Sequence, residues 1–205
     1  MFAFSRHVCH PHNPPSALPC CKPSSHVTTQ NDARKMRSCC KERIYMRILI
    51  LEDNADRRTA MLEHIGDCLP MFGISFFETS DSMINALKSA NWNEIALISL
   101  DNDLDPIQIN GRATDAGDGL AVARCLVELK SMLATSQAAM PPVIIHTTNE
   151  LAAIQMQHMF SVAKWQFERV TPYDGESWIG EVWIQKARAT IIENVSDRKT
   201  VAGAR

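Results

Sequence analysis

The 205-residue chain carries 21 Lys/Arg against 23 Asp/Glu and is 45% hydrophobic, which suits one soluble globular domain with an appendage. No stretch reaches the ~18 apolar residues that a membrane-spanning helix needs, so no membrane partner is expected. Residues 1–45 hold seven basic and two acidic residues (net +5) while residues 46–205 hold fourteen and twenty-one (net −7), and so acidic a body excludes an extended nucleic-acid face.

Residues 1–45 are rich in Pro, Ser, His and Cys and show neither a 2-residue nor a 3.6-residue apolar period. They are expected to be a disordered extension, or sequence upstream of a true start at Met46. Two other readings stay open. One is a targeting peptide, since the segment is basic and has no acid before Asp32. The other is a metal site from Cys9, His10, His12, Cys20 and Cys21, although the paired C-x₂₋₄-C spacing of zinc sites is absent. The body keeps only Cys68 and Cys125, each among apolar neighbours. That pattern reads as two core thiols of a reducing compartment, and a cytoplasmic protein is expected.

From Met46 strands and helices alternate. "MRILILE" (46–52) predicts a buried strand and "ADRRTAMLEHIGDCL" (55–69) a helix with Ala60, Met61, His64, Ile65 and Cys68 at helical spacing. "GISFFET" (73–79) predicts the second strand, and Ser80 or Asp81 then caps the helix "SMINALKSA". "EIALISL" (94–100) predicts the third strand, a long loop spans 104–118, and "GLAVARCLVELKSML" (119–133) is strongly amphipathic. "PPVIIHTT" (141–148) predicts the fourth strand, with prolines only at its start. A helix at 150–163, a fifth strand "WQFERVT" (165–171) and a helix over 177–195 close the body, leaving 196–205 as a tail. The last helix is predicted to present Trp178, Ile179, Val182 and Trp183 on one face.

Such alternation means βαβ crossovers and a parallel sheet covered on both faces. The predicted fold class is α/β: a flavodoxin-like three-layer sandwich with a five-stranded parallel sheet in the order 2-1-3-4-5. In that order ligands bind at the carboxyl ends of the strands, beside the first. The first, third and fourth strands then lie side by side, and their ends carry "EDN", "DND" and "HTTN". Glu52, Asp53, Asp101 and Asp103 gather there. Four carboxylates at one edge repel one another, and a hard divalent cation such as magnesium relieves the repulsion and can hold a phosphoryl oxygen. Thr147 can donate its hydroxyl to the same group. The plainer alternative is a set of helix caps, with Asp53 or Asn54 at the first helix and Asn149 at the fourth.

"ILILEDN", "LISLD" ending in Asp101 and "PVIIHTT" with Thr147 resemble the receiver domain of two-component signalling over residues 46–195. The resemblance implies that Asp101 is the phosphoacceptor position, Thr147 the switch hydroxyl, and Glu52 and Asp53, with Asp101, the magnesium ligands. Two departures stand out. Thr171 of "RVTPYDG" occupies the place of the family's lysine, and the loop 104–118 replaces a short turn. The missing lysine puts ordinary phosphorylation signalling in doubt. "SLDNDL", "GDGLAVARCL" and "PPVIIHTTN" together resemble a narrower branch, the cyclic-phosphate-processing receiver domains.

That resemblance implies a cyclic phosphodiester or related phosphate ester as substrate, either a small molecule or an RNA end. Asp101, Asp103, His146 and Thr147 are then the candidate catalytic residues. Asp103 or a metal-bound water supplies the base or nucleophile, and His146, of a residue type that exchanges protons near neutral pH, serves the leaving alkoxide. Arg57, Thr147 and Asn149 are the candidate phosphate-binding residues, and Mg²⁺ is the expected cofactor. His146 also reads as an ordinary packed strand histidine, Asp118 as the cap of the following helix, and one of Arg57 and Arg58 as simply facing water. A metal-dependent phosphodiesterase is one functional expectation. The other is a phosphoacceptor or pseudo-receiver module that binds a signalling partner without catalysis.

Overall fold

The computed structural model describes residues 46–133 and 140–203 of the chain. The expectations for residues 1–45 lie outside the described residues. Five strands, β1 (Arg47–Leu51), β2 (Gly73–Phe77), β3 (Ile95–Leu100), β6 (Val143–His146) and β7 (Phe167–Val170), form one parallel sheet in the order β2-β1-β3-β6-β7. Two short strands, β4 (Ile107–Ile109) and β5 (Arg112–Thr114), make a separate antiparallel hairpin. The helices are α1 (Ala55–Cys68), α2 (Ser80–Ser89), α3 (Gly119–Met132), α4 (Glu150–Val162) and α5 (Ile184–Gly203). Setting the hairpin aside, the order is the predicted 2-1-3-4-5.

Burial follows the strand sequences. Every residue of β3 and β6 is buried, as is β1 after Arg47, so the centre of the sheet is a continuous apolar run covered on both faces. The two-residue period sorts these side chains. Leu49, Leu51, Ile98, Leu100, Val143 and Ile145 pack with Met83 and Leu87 of α2, Val122 and Leu126 of α3, and Met156 and Phe160 of α4. On the other face Ile48, Ile50, Leu97 and Ile144 pack with Met61 and Ile65 of α1 and with Trp178, Trp183 and Ile184. Each fully buried Leu or Ile contributes about 1.5–3 kcal/mol.

Three local expectations change. α2 is capped by Thr79, whose hydroxyl accepts the Ser82 N–H at 3.2 Å, and not by Ser80 or Asp81. Ser80 is turned inward, and its hydroxyl donates to the Ala116 carbonyl at 3.3 Å. The stretch 104–118 is not a plain loop, because Asn110 (φ 53°) and Gly111 (φ 75°) close the β4–β5 hairpin. Two consecutive positive φ angles are the requirement of a type I′ turn, which Asn-Gly meets. The last helix opens with a π-helical turn over Ile179–Trp183, and α5 continues from it to Gly203.

Candidate functional site

The sheet order sets β1, β3 and β6 side by side and so brings their carboxyl ends together. Glu52 follows β1 and Asp101 follows β3; His146 ends β6 and Thr147 comes next. Glu52 is 0% exposed, Asp101 4% and His146 0%. One ligand atom from each of these three lies within 4.8 Å of the others. Gly119 lets the start of α3 press onto this edge, since a Cβ there would stand 2.2 Å from the Asp101 carbonyl oxygen.

The two buried carboxylates are held unequally. Glu52 Oε1 accepts the Asn54 N–H at 3.0 Å. Glu52 Oε2 has no hydrogen-bond partner among the described residues, although His146 Nε2 stands 3.3 Å away and Arg57 Nη1 3.8 Å away. The His146 approach has the distance of an ion pair without the alignment of a hydrogen bond. Asp101 Oδ1 accepts the Asn102 N–H at 2.6 Å, and Oδ2 accepts from Arg57 Nη1 at 3.2 Å. Burial pushes the Asp101 carboxyl up from 3.8 to about 6; His146 opposes the rise, Glu52 adds to it, and the Asn102 N–H and Arg57 oppose it.

A second ring of residues sits beneath. Trp183 Nε1 donates to Ser99 Oγ at 3.0 Å, and Ser99 Oγ lies 2.9 Å from His146 Nδ1. The His146 ring stacks on Trp178, centroids 5.8 Å apart. Sequence reasoning missed Ser99 and this role of the two tryptophans. Ser99 is the one hydroxyl in the otherwise apolar strand "IALISL", and a polar group there needs a partner. His146 is therefore enclosed by Ser99 and Trp178, Thr147 is also buried, and the accessible polar groups beside them are Asp103 and Asn149.

The other expected residues fall around this centre. Asp53 is half-buried, and its Oδ2 accepts the Asp105 N–H at 2.5 Å. Asp103 is exposed, and its Oδ1 accepts from the side-chain amides of Asn102 (2.8 Å) and Asn149 (3.0 Å). It also pairs with Asp118 in an antiparallel bridge that closes the base of the hairpin loop. Thr147 Oγ1 accepts the Asn149 N–H at 3.1 Å. Asn54, Asp118 and Asn149 cap α1, α3 and α4. Neither early arginine is idle. Arg58 holds the backbone of Glu52 and Asp53 and pairs with Glu78, while Arg57 turns onto Asp101. Thr171 is exposed, so the cation beside Asp101 comes from α1 and not from the position after β7.

A family profile described as the Cyclic-phosphate processing Receiver domain matches residues 47–162, more than half of the chain. The chain belongs to this family. Solved receiver structures are similar to this cyclic-phosphate processing receiver. A response regulator receiver domain from Rhodospirillum rubrum is 17% identical over 73% of this chain and 94% of its own, with a TM-score of 0.48. The response regulator domain of Thermotoga maritima CheB is 16% identical over 72% and 96%, with a TM-score of 0.47. The phosphorylated cyanobacterial phytochrome response regulator RcpA is 16% identical over 71% and 90%, also at 0.47. No curated protein matches the chain. Among the described residues of the receiver, no helix is long and apolar enough to cross a membrane.

Proposed function

We propose that the protein processes a phosphate ester, of the cyclic phosphodiester class, in a divalent-metal-dependent pocket at the carboxyl ends of β1, β3 and β6. The observation that carries the reading is the buried Glu52–Asp101 pair, in which Glu52 Oε2 has no hydrogen-bond partner among the described residues. A donor set of carboxylate oxygens fits magnesium, which prefers hard oxygen ligands. Glu52 and Asp101 would hold the ion, with Asp53 beside them, and bound magnesium supplies neutralisation of the charge that develops on phosphoryl oxygens.

The chain's own groups do the rest. His146, with Nε2 3.3 Å from Glu52 Oε2, stands beside that carboxylate and tunes its charge. Asp103, exposed at the rim, takes a proton from the attacking water and returns it to the alkoxide that leaves phosphorus as the ring opens. The Thr147 hydroxyl and the Asn149 amide bind phosphoryl oxygens, and Arg57 supplies a positive charge next to them. The substrate is a nucleotide or an RNA end, and the protein works in the cytoplasm.

One observation favours a second reading. Arg57 gives Asp101 a charge partner that Thr171 cannot, which a phosphoacceptor module also requires. The test exposes the protein and its Asp101→Asn variant to Mg²⁺ with a panel of 2′,3′-cyclic nucleotides, and separately to acetyl phosphate. Ring opening that is lost in Asp101→Asn is the expected result. A stable phosphoryl adduct on Asp101 without ring opening would instead make the protein a signalling module that binds a protein partner.

A further inference from the structure

Arg57 holds a place that the functional reading has to share. It leaves the first turn of α1, where its own N–H donates to the Asn54 cap at 3.0 Å, and turns back over the sheet edge. Nη1 lies between the two buried carboxylates, 3.2 Å from Asp101 Oδ2 and 3.8 Å from Glu52 Oε2. Its Cζ stands 6.0 Å from the centre of the Trp178 ring. These are the two carboxylates that would hold a divalent cation. The carboxylates are fixed from below, each by a backbone N–H, from Asn54 and from Asn102. Arg57 is 26% exposed and hangs on a long, jointed side chain at a helix start, so it is the partner that can move.

We propose that Arg57 is an exchangeable counter-ion, which offsets part of the charge of the Glu52–Asp101 pair in the metal-free protein and is displaced when a divalent cation binds there. The inference rests on the metal-dependent reading of this pocket. Its physical ground is charge. Two buried carboxylates with no cation would be strongly disfavoured, and one guanidinium within 4 Å of both supplies part of the compensation. A divalent ion in the same cleft would face that positive charge at close range, and the repulsion between them lowers the affinity for the ion as long as the guanidinium stays in place. Swinging outward also frees the guanidinium for a ligand phosphate, which Arg binds well.

The test is calorimetric titration of the full chain with Mg²⁺, comparing wild type, Arg57→Ala and Arg57→Lys, with far-ultraviolet circular dichroism to confirm folding. Arg57→Ala is expected to bind Mg²⁺ about tenfold more tightly than wild type, because the competing charge is gone. Arg57→Lys keeps the charge and is expected to stay within about threefold of wild type. Should Arg57→Ala fail to fold, Arg57→Gln, which keeps an amide donor for Asp101 without the charge, makes the same comparison. Equal or weaker Mg²⁺ binding in the neutral variant overturns the exchange while leaving the metal site standing. Absence of Mg²⁺ binding in every protein overturns both the exchange and the metal-dependent reading.

Discussion

Burial pushes the Asp101 carboxyl up to about 6 from an ordinary 3.8, and that shift has a measurable sign. Between these two values the unfolded chain has released a proton that the native protein still holds. Stability of the metal-free protein is therefore expected to fall as pH rises from about 4 to about 6, by about 3 kcal/mol, and to level off above that window. Urea denaturation across that range checks it, and Asp101→Asn should lack the slope; an unchanged slope in Asp101→Asn would assign the effect elsewhere. Ser99 is the second residue with a clear expectation. Its hydroxyl serves both Trp183 Nε1 and His146 Nδ1 inside the core. Ser99→Ala leaves two buried groups without a partner and is expected to cost about 2–4 kcal/mol, measured by the same denaturation.

At the scale of elements, the site depends on helix starts and strand ends meeting closely. Gly119→Ala would set a methyl group against the Asp101 carbonyl, with backbone on both sides and no flexible side chain to yield. It is expected to cost about 1–3 kcal/mol and to weaken Mg²⁺ binding by moving Asp101; a variant as stable as wild type would show that α3 can shift freely. The elements also show how far the sequence could be read. The apolar runs of β1, β3 and β6 and the caps Asn54, Asp118 and Asn149 were legible, because burial and capping leave local signatures. The hairpin carried its signal too, as Asn110-Gly111 between Ile109 and Arg112, but the surrounding charges and glycines read as loop. The π-helical turn had no such signal. Trp178 and Trp183, expected on one face of the helix, are both buried in the same core cluster around that turn.

For the whole molecule, the sheet order turned three separate strand ends into one pocket. The convergence of Glu52, Asp101, His146 and Thr147 was legible because a βαβ alternation permits few topologies. The ranking within it was not, because depth depends on packing. Nothing in "VIIHTTN" tells that His146 is enclosed while Asn149 reaches Asp103, or that Arg57 and not Arg58 turns inward. A ligand that binds only the native state raises its stability by mass action. Mg²⁺ at 100 times its dissociation constant is thus expected to stabilise the protein by about 2.7 kcal/mol, reversed by chelation and absent in Asp101→Asn. Thermal denaturation with and without Mg²⁺ checks this.

The most direct measurement is anomalous diffraction from crystals soaked in Mn²⁺ as a stand-in for Mg²⁺. The expected result is a single strong peak bonded to Glu52 and Asp101, with the Arg57 guanidinium moved off Asp101. A peak elsewhere, or none at this edge with Arg57 still on Asp101, would contradict the claim that the pocket is a metal-dependent phosphate-ester site.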